Sequence, residues 1–356
     1  MPKLIHEELE ENEVITEKKE TTVIEKTVDK KEKEIPSCYI EIKLPSNGKI
    51  EGCPKVLHFR DYTSSDIVDL NMKDDGDIKT LSKVLSRMNY ENYDVANLTP
   101  EDLLYVTYVL HSSFVSNTIE KTSYIDETLP DGTEEGQLDN KENIEYFDIP
   151  INSLKYRVLG YDDDGNKIDV KFKSPFKITD SMTKDVVGVR LSTIKDVQIA
   201  TQYVKDKYED DFIKFDDVKT EIERLQNLKE NRDEELNKYY VEHKDRVEEY
   251  YIFYKDFASM IAKVSSALRI VSFNDKPIAD DNIEEKLRLY SDCISSGVWE
   301  IYDSVKEKFA FGILSEQEVF SERLHKKITK TFQFELDDFI PSNDRKDTDR
   351  FTLSFD

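Results

Sequence analysis

Glycine is scarce in this chain, with ten residues in 356 and no two adjacent. There is no Gly-x-Gly-x-x-Gly, no Walker-type loop and no Gly-x-Ser-x-Gly elbow. That excludes the local signatures of dinucleotide binding, NTP-phosphate cradling and a strained serine nucleophile. Cysteine is scarcer still: Cys38, Cys53 and Cys293 form an odd set without a Cys-x-x-Cys. A disulfide framework is excluded, and a reduced compartment is the expectation. The five histidines (His6, His58, His111, His243, His325) include no His-x-x-x-His. Glu322-x-x-His325 occurs once, whereas a carboxylate di-metal bundle needs that motif on two helices. No catalytic, cofactor-binding or metal-ligating residue is assigned, and the chain reads as a non-enzyme that needs no cofactor.

Basic residues are outnumbered by acidic ones, 51 to 76, for a formal charge of −25 and a pI near 4.7. So acidic a surface repels phosphate backbones, and counterion release works against nucleic-acid binding. Mimicry of nucleic acid, or capture of a basic partner, is the acidic alternative. Long apolar runs are also lacking, and none approaches the roughly 20 residues that span a bilayer. Residues 1–35, rich in Glu, Lys and Thr, hold no apolar signal-peptide core and are expected to form a disordered arm. Val14, Ile15, Val23, Ile24 and Val28 are anchors should that arm order on a partner.

What the chain does have is patterned. Cys38 to Met72 reads as strand, turn, strand and helix. Ile40, Ile42 and Leu44 share one strand face, Pro45 stops the ladder, and Asn47-Gly48 tolerates positive φ. Val56 to Arg60 is the returning strand, and Thr63 with Asp66 forms a capping box. Ile78 to Met88 is a helix with Leu81, Val84, Leu85 and Met88 on one stripe. Thr99-Pro100-Glu101-Asp102 opens a helix that buries Leu103, Val106, Leu110 and Phe114. His111, near the end of that helix, suits its C-terminal charge.

Residues 124–146 read as an exposed acidic insertion. Beyond it, YRVLGY and KIDVKF flank Asp162-Asp163-Asp164-Gly165-Asn166 as a hairpin. A calcium loop fails there, since Gly160 and Lys171 would occupy its first and twelfth positions. Thr193 and Asp196 cap a further helix carrying Val197, Ala200, Tyr203 and Val204.

A second strong pattern runs from Leu236 through Tyr240, His243, Val247, Tyr250, Tyr254, Phe257, Ile261, Val264 and Leu268 to Val271. Its alternating four- and three-residue steps predict one long heptad helix. The stripe packs either on the helix around Val218, Ile222, Leu225 and Leu228 or on another subunit. Tyr240, Tyr250, Tyr254, Phe257 and Ile261 are the candidate interface residues. Asp280 to Ser295 and Trp299 to Phe311 suggest further helices, and Ser315 with Glu318 a helix reaching His325.

The predicted fold class is α+β: small antiparallel hairpins combined with several helices. The predicted organisation is an α+β domain over 36–204, a helical domain over 205–330, and an aromatic-acidic tail strand over 331–356.

The order strand, LPSNG, strand, RDYTSSD, helix resembles the start of the baseplate hub family of T-even-type contractile-tailed phages. GVRLSTIKDVQIATQYV and TFQFELDDFIPSND are similar to later stretches of that family, in the same order. Leu44, Pro45, Gly48, Thr63, Asp66, Thr193 and Asp196 carry the motif. The resemblance implies a structural protein of the virion tail baseplate, made in the host cytoplasm and contacting other tail proteins. A non-virion assembly chaperone is its alternative, and self-association within the assembly is an option of the structural role. Some relatives carry paired cysteines in the central β region; residues 149–178 have none, so no metal is implied here.

Overall fold

In the computed structural model the described residues are 35–71, 77–124, 144–162, 166–167, 174–226, 228 and 231–341. The chain divides into Met1–Pro36 and Ser37–Asp356. The expected arm, the insertion between the strands that bound it, and the tail beyond residue 341 lie outside the described residues.

The fold is α+β, with small antiparallel sheets among helices. β1 (Tyr39–Lys43) pairs with β2 (Val56–Arg60), Ile42 opposite Leu57. Their connection is a series of turns rather than one tight hairpin. Asn47 and Gly48 both take positive φ, and Lys49 N–H donates to the Ser46 carbonyl at 3.0 Å. α1 (Ser64–Asn71) follows, then α2 (Asp77–Met88), whose Leu81, Val84, Leu85 and Met88 are all buried. Thr99 caps α3 (Pro100–Phe114) by accepting Asp102 N–H at 3.2 Å. The Asp102 carboxylate is used elsewhere, as acceptor of Ser46 N–H at 2.9 Å.

β3 (Thr118–Tyr124) and β4 (Ile144–Pro150) pair antiparallel at the edges of the insertion. β5 (Tyr156–Arg157) pairs with the distant β10 (Gly312–Ile313), and of the expected returning strand KIDVKF the residues beyond Lys167 lie outside the described residues. Among the described residues the two sides of the acidic turn meet at the Tyr161–Lys167 bridge and through Asp162 N–H, which donates to the Asn166 carbonyl at 3.0 Å.

A four-stranded antiparallel sheet runs β6 (Phe176–Thr179), β7 (Val186–Val189), β8 (Ile270–Phe273) and β9 (Lys276–Pro277). Between adjacent strands β7 and β8 the chain inserts four helices: α4 (Ile194–Lys207), α5 (Glu209–Gln226), α6 (Arg232–Glu242) and α7 (Lys244–Leu268). They leave and return as a helical hairpin. Val189 pairs with Ile270, and Arg190 N–H donates to the Arg269 carbonyl at 3.0 Å, pinning both ends at the sheet.

α8 (Ile283–Arg288) and α9 (Ser296–Lys308) close the helical part. The expected helix from Ser315 to His325 is instead a hairpin of β11 (Glu316–Ser321) and β12 (Lys326–Thr331). Gln317, Val319 and Ser321 alternate inward, so the true period is two. Two of these buried residues are polar, which hides the alternation in the sequence. Gln317 is satisfied by Lys155 N–H and two carbonyls, and Ser321 by Glu145.

Within 331–341 the expected tail strand ends at Thr331. Phe332 and Phe339 are then buried around a short 3-10 turn, Leu336–Asp338. One main core joins Phe59, Leu103, Val187, Ile270, Val298 and Phe339, drawing on both sides of the boundary expected at 204/205.

Candidate protein-interaction site

The helical hairpin carries all five candidate interface residues, and its packing decides which of them face outward. α7 is about 37 Å long at 1.5 Å per residue. Near the sheet its stripe packs on α4: Val264 and Leu268 are buried with Ala200 and Val204, and Phe257 and Ile261 pack partly against them. Further out it packs on α5: Val247 is buried with Val218 and Ile222, flanked by Tyr239, Tyr240 and Tyr250. The stripe is therefore covered within the chain on two successive partners.

The expected single helix is bent at His243, where ψ is 28° and α6 meets α7. Hydrogen bonds from His243 N–H to Tyr239 and from Val247 N–H to His243 continue across the bend. Its far end also departs from expectation, because Val271 lies in β8.

Aromatic rings line the hairpin. Phe212 meets Phe257 edge-on at 4.6 Å and Phe253 at 5.1 Å, while Phe215 stacks on Phe253 at 5.4 Å. Tyr250 touches Phe215 at 6.1 Å, and Tyr254 sits between Tyr250 and Phe257. Tyr240 and Tyr251 share a hydroxyl contact of 2.8 Å. Burial and that contact push the Tyr251 phenol up to about 12, so it stays neutral and able to hydrogen-bond near physiological pH.

Of the five predicted interface residues, Tyr240, Tyr250, Phe257 and Ile261 are half-buried against the chain's own helices. Tyr254 is 52% exposed. Tyr251, which the heptad count passes over, is 46% exposed beside it. A second column explains why: Tyr251, Tyr254 and Ala258 follow one another at three and four residues, beside the covered Val247. At 100° per residue they form an apolar flank next to the covered stripe. That spacing was available in the sequence. Val241, at the end of α6, is 80% exposed.

The motif residues occupy scaffold positions. Leu44 is buried, and the Pro45 carbonyl accepts Leu159 N–H at 2.8 Å. Asp66 accepts Thr63 N–H at 2.8 Å and binds Arg60 at 2.6 Å and Arg87 Nε at 2.9 Å. Burial opposes charge on Asp66, but the bonds from Arg60, Thr63 and Arg87 prevail and hold its carboxyl well below the usual range. Asp196 repeats the arrangement, accepting Thr193 N–H at 2.8 Å and both Arg190 amino groups at 2.7 and 2.6 Å.

His111 is fully buried, with Nδ1 3.0 Å from the Phe339 carbonyl, and so joins α3 to the C-terminal segment. Glu322 and His325 fall in the β11–β12 turn rather than on one helix. Among the described residues no group of three or more His, Cys, Asp or Glu could hold a metal ion. No described helix is long and apolar enough to cross a membrane. The chain matches no family model, no curated protein and no solved structure.

Proposed function

We propose that this chain is a structural component of a contractile phage tail baseplate, at or near the hub. It acts without catalysis, by binding neighbouring tail proteins. The order of the three motif stretches supports the tail assignment. The hairpin inserted between β7 and β8 carries the interaction part of the reading, because it presents Tyr251 and Tyr254 outward from a base tied to the sheet. Partly exposed tyrosines give large contact area at small entropic cost and keep a hydroxyl for the partner. The charge of −25 keeps unassembled copies apart.

Mass spectrometry of purified particles, with parallel pull-down of tail intermediates, tests the assignment. Stoichiometric presence in particles, lost on Tyr251→Ala with Tyr254→Ala, is the expected outcome. Presence in intermediates alone makes the chain an assembly chaperone, and absence from both overturns the tail reading.

A further inference from the structure

The same hairpin has a second surface that the tyrosine face does not use. Ile252, Asp256 and Met260 lie on the opposite flank of α7 from Tyr254, as their spacing at 100° per residue requires. There α5 and α7 part to leave a groove of about 470 Å³. Its apolar lining includes Phe253, Phe257 and Met260, with Ile252 63% exposed at the rim.

The rim is acidic. Asp211, Glu249 and Asp256 border the groove, and among the described residues lining it Lys214 is the one cation. Lys214 is engaged, 3.4 Å from Glu249 and over the Phe215 ring at 4.6 Å. Glu249 is thus the acid that Lys214 offsets, and Asp211 and Asp256 keep the groove net negative. Apolar floor and anionic rim together select a ligand that is apolar and cationic at once.

We propose that the groove between α5 and α7 docks a basic amphipathic segment of a partner protein, one presenting large apolar side chains flanked by Lys or Arg. The apolar side chains fill the floor beside Met260 and Phe253, while the cations meet Asp211 and Asp256. This is helix-in-groove recognition, with charge setting partner choice and capture rate. A second acidic copy of this chain is disfavoured by the same charge. The inference does not depend on the tail assignment, and it stands or falls on the purified chain alone.

The probe is a labelled amphipathic peptide of Leu and Lys, with its Leu/Glu counterpart as control. Binding by anisotropy should be specific to the Leu/Lys peptide. It should weaken at least about tenfold in the pair Asp211→Lys with Asp256→Lys. The pair Asp292→Lys with Glu300→Lys, exposed outside the hairpin, makes the same change in net charge and should weaken it far less.

Methyl-labelled methionine spectra of the unaltered chain locate the peptide without relying on any variant. The Met260 signal, assigned through Met260→Leu, should move on titration while that of the buried Met88 stays. Equal losses in both charge pairs, a stationary Met260 at saturation, or binding of the Leu/Glu peptide would overturn the proposal. A groove-dependent dimer in sedimentation would overturn it too, by giving the groove to a second copy.

Discussion

Ser46 donates its backbone N–H to Asp102 Oδ1 at 2.9 Å across 56 positions of sequence, fastening the β1–β2 connection to the first turn of α3. Both residues are fully buried. Asp102 thus serves a tertiary contact at a position where an acid ordinarily closes a capping box, leaving Thr99 alone to cap the helix.

Burial pushes the Asp102 carboxyl up to about 6, against the pull of Ser46. The folded state therefore holds this proton more tightly than the unfolded chain does. Its contribution to stability is complete below the ordinary carboxylate pKa and is lost as pH rises through about 6. Asp102→Asn keeps an acceptor for Ser46 and has nothing to ionise. Urea unfolding at acid and neutral pH should show the natural protein losing on the order of 3 kcal/mol relative to the variant. Parallel pH profiles would remove the buried carboxyl from this account.

Arg60 and Asp66 reappear, in spacing and geometry, as Arg190 and Asp196. In both places a strand ends near the arginine, a threonine follows three residues on, and the aspartate three further. Among the described residues, however, Asp66 has Arg87 as a second partner, whereas Asp196 has no other arginine. Arg190→Met should thus cost about 3 kcal/mol by stranding a buried carboxylate, and Arg60→Met clearly less. Asp66→Asn should be destabilising at neutral pH. Its folded pKa is depressed, so that deficit should close only as pH falls below about 4. Equal costs for the two arginine variants in chemical denaturation would contradict the role given to Arg87.

The outer hairpin rests on little. Val218, Ile222 and Val247 form its buried cluster, with Phe215 and Leu225 also buried on α5, and α6 buries no side chain fully. Each such burial supplies roughly 2 kcal/mol, so an unpaired charge among them outweighs the local gain. Val218→Asp should speed amide exchange through α5, α6 and the first half of α7 while α2 and α3 stay protected, as expected of separable cooperative units. Hydrogen-exchange mass spectrometry reads this directly. Global unfolding, or no change, would show that the hairpin is not an independent unit.

These contrasts mark how far the sequence could be read. Elements with local, single-period signals were legible: Val56–Arg60, the α2 stripe and the Thr99-Pro100 helix start. β11 was not, because Gln317 and Ser321 face inward and the interior there is partly polar. The pairing of Tyr156–Arg157 with Gly312–Ile313 joins two-residue strands far apart, and no local pattern encodes it. The aromatic stripe on α7 was visible, but which of its rings stay exposed depends on where α5 lies. That is a tertiary fact, so Tyr251 falls outside the heptad count, and Phe257, a candidate interface residue, is half-covered by the chain's own helices.

The base of α7 rests on a buried cation. Lys286 is fully buried on α8, with Nζ 3.2 Å from the carbonyl of Leu268, the last residue of α7. Asp280 approaches at 3.5 Å, but its own side chain is largely exposed. Burial pushes the Lys286 ammonium pKa down, with Asp280 opposing. A cation at a helix C-terminus is favourable, yet its desolvation consumes much of that gain. Lys286→Met fills nearly the same volume without a charge and should change stability by less than about 1 kcal/mol. Both variants free the Leu268 carbonyl, but Lys286→Ala adds a cavity and should cost about 3 kcal/mol. Thermal and urea unfolding of the two variants separate packing from charge. If methionine is as damaging as alanine, the ammonium itself holds the hairpin to its base.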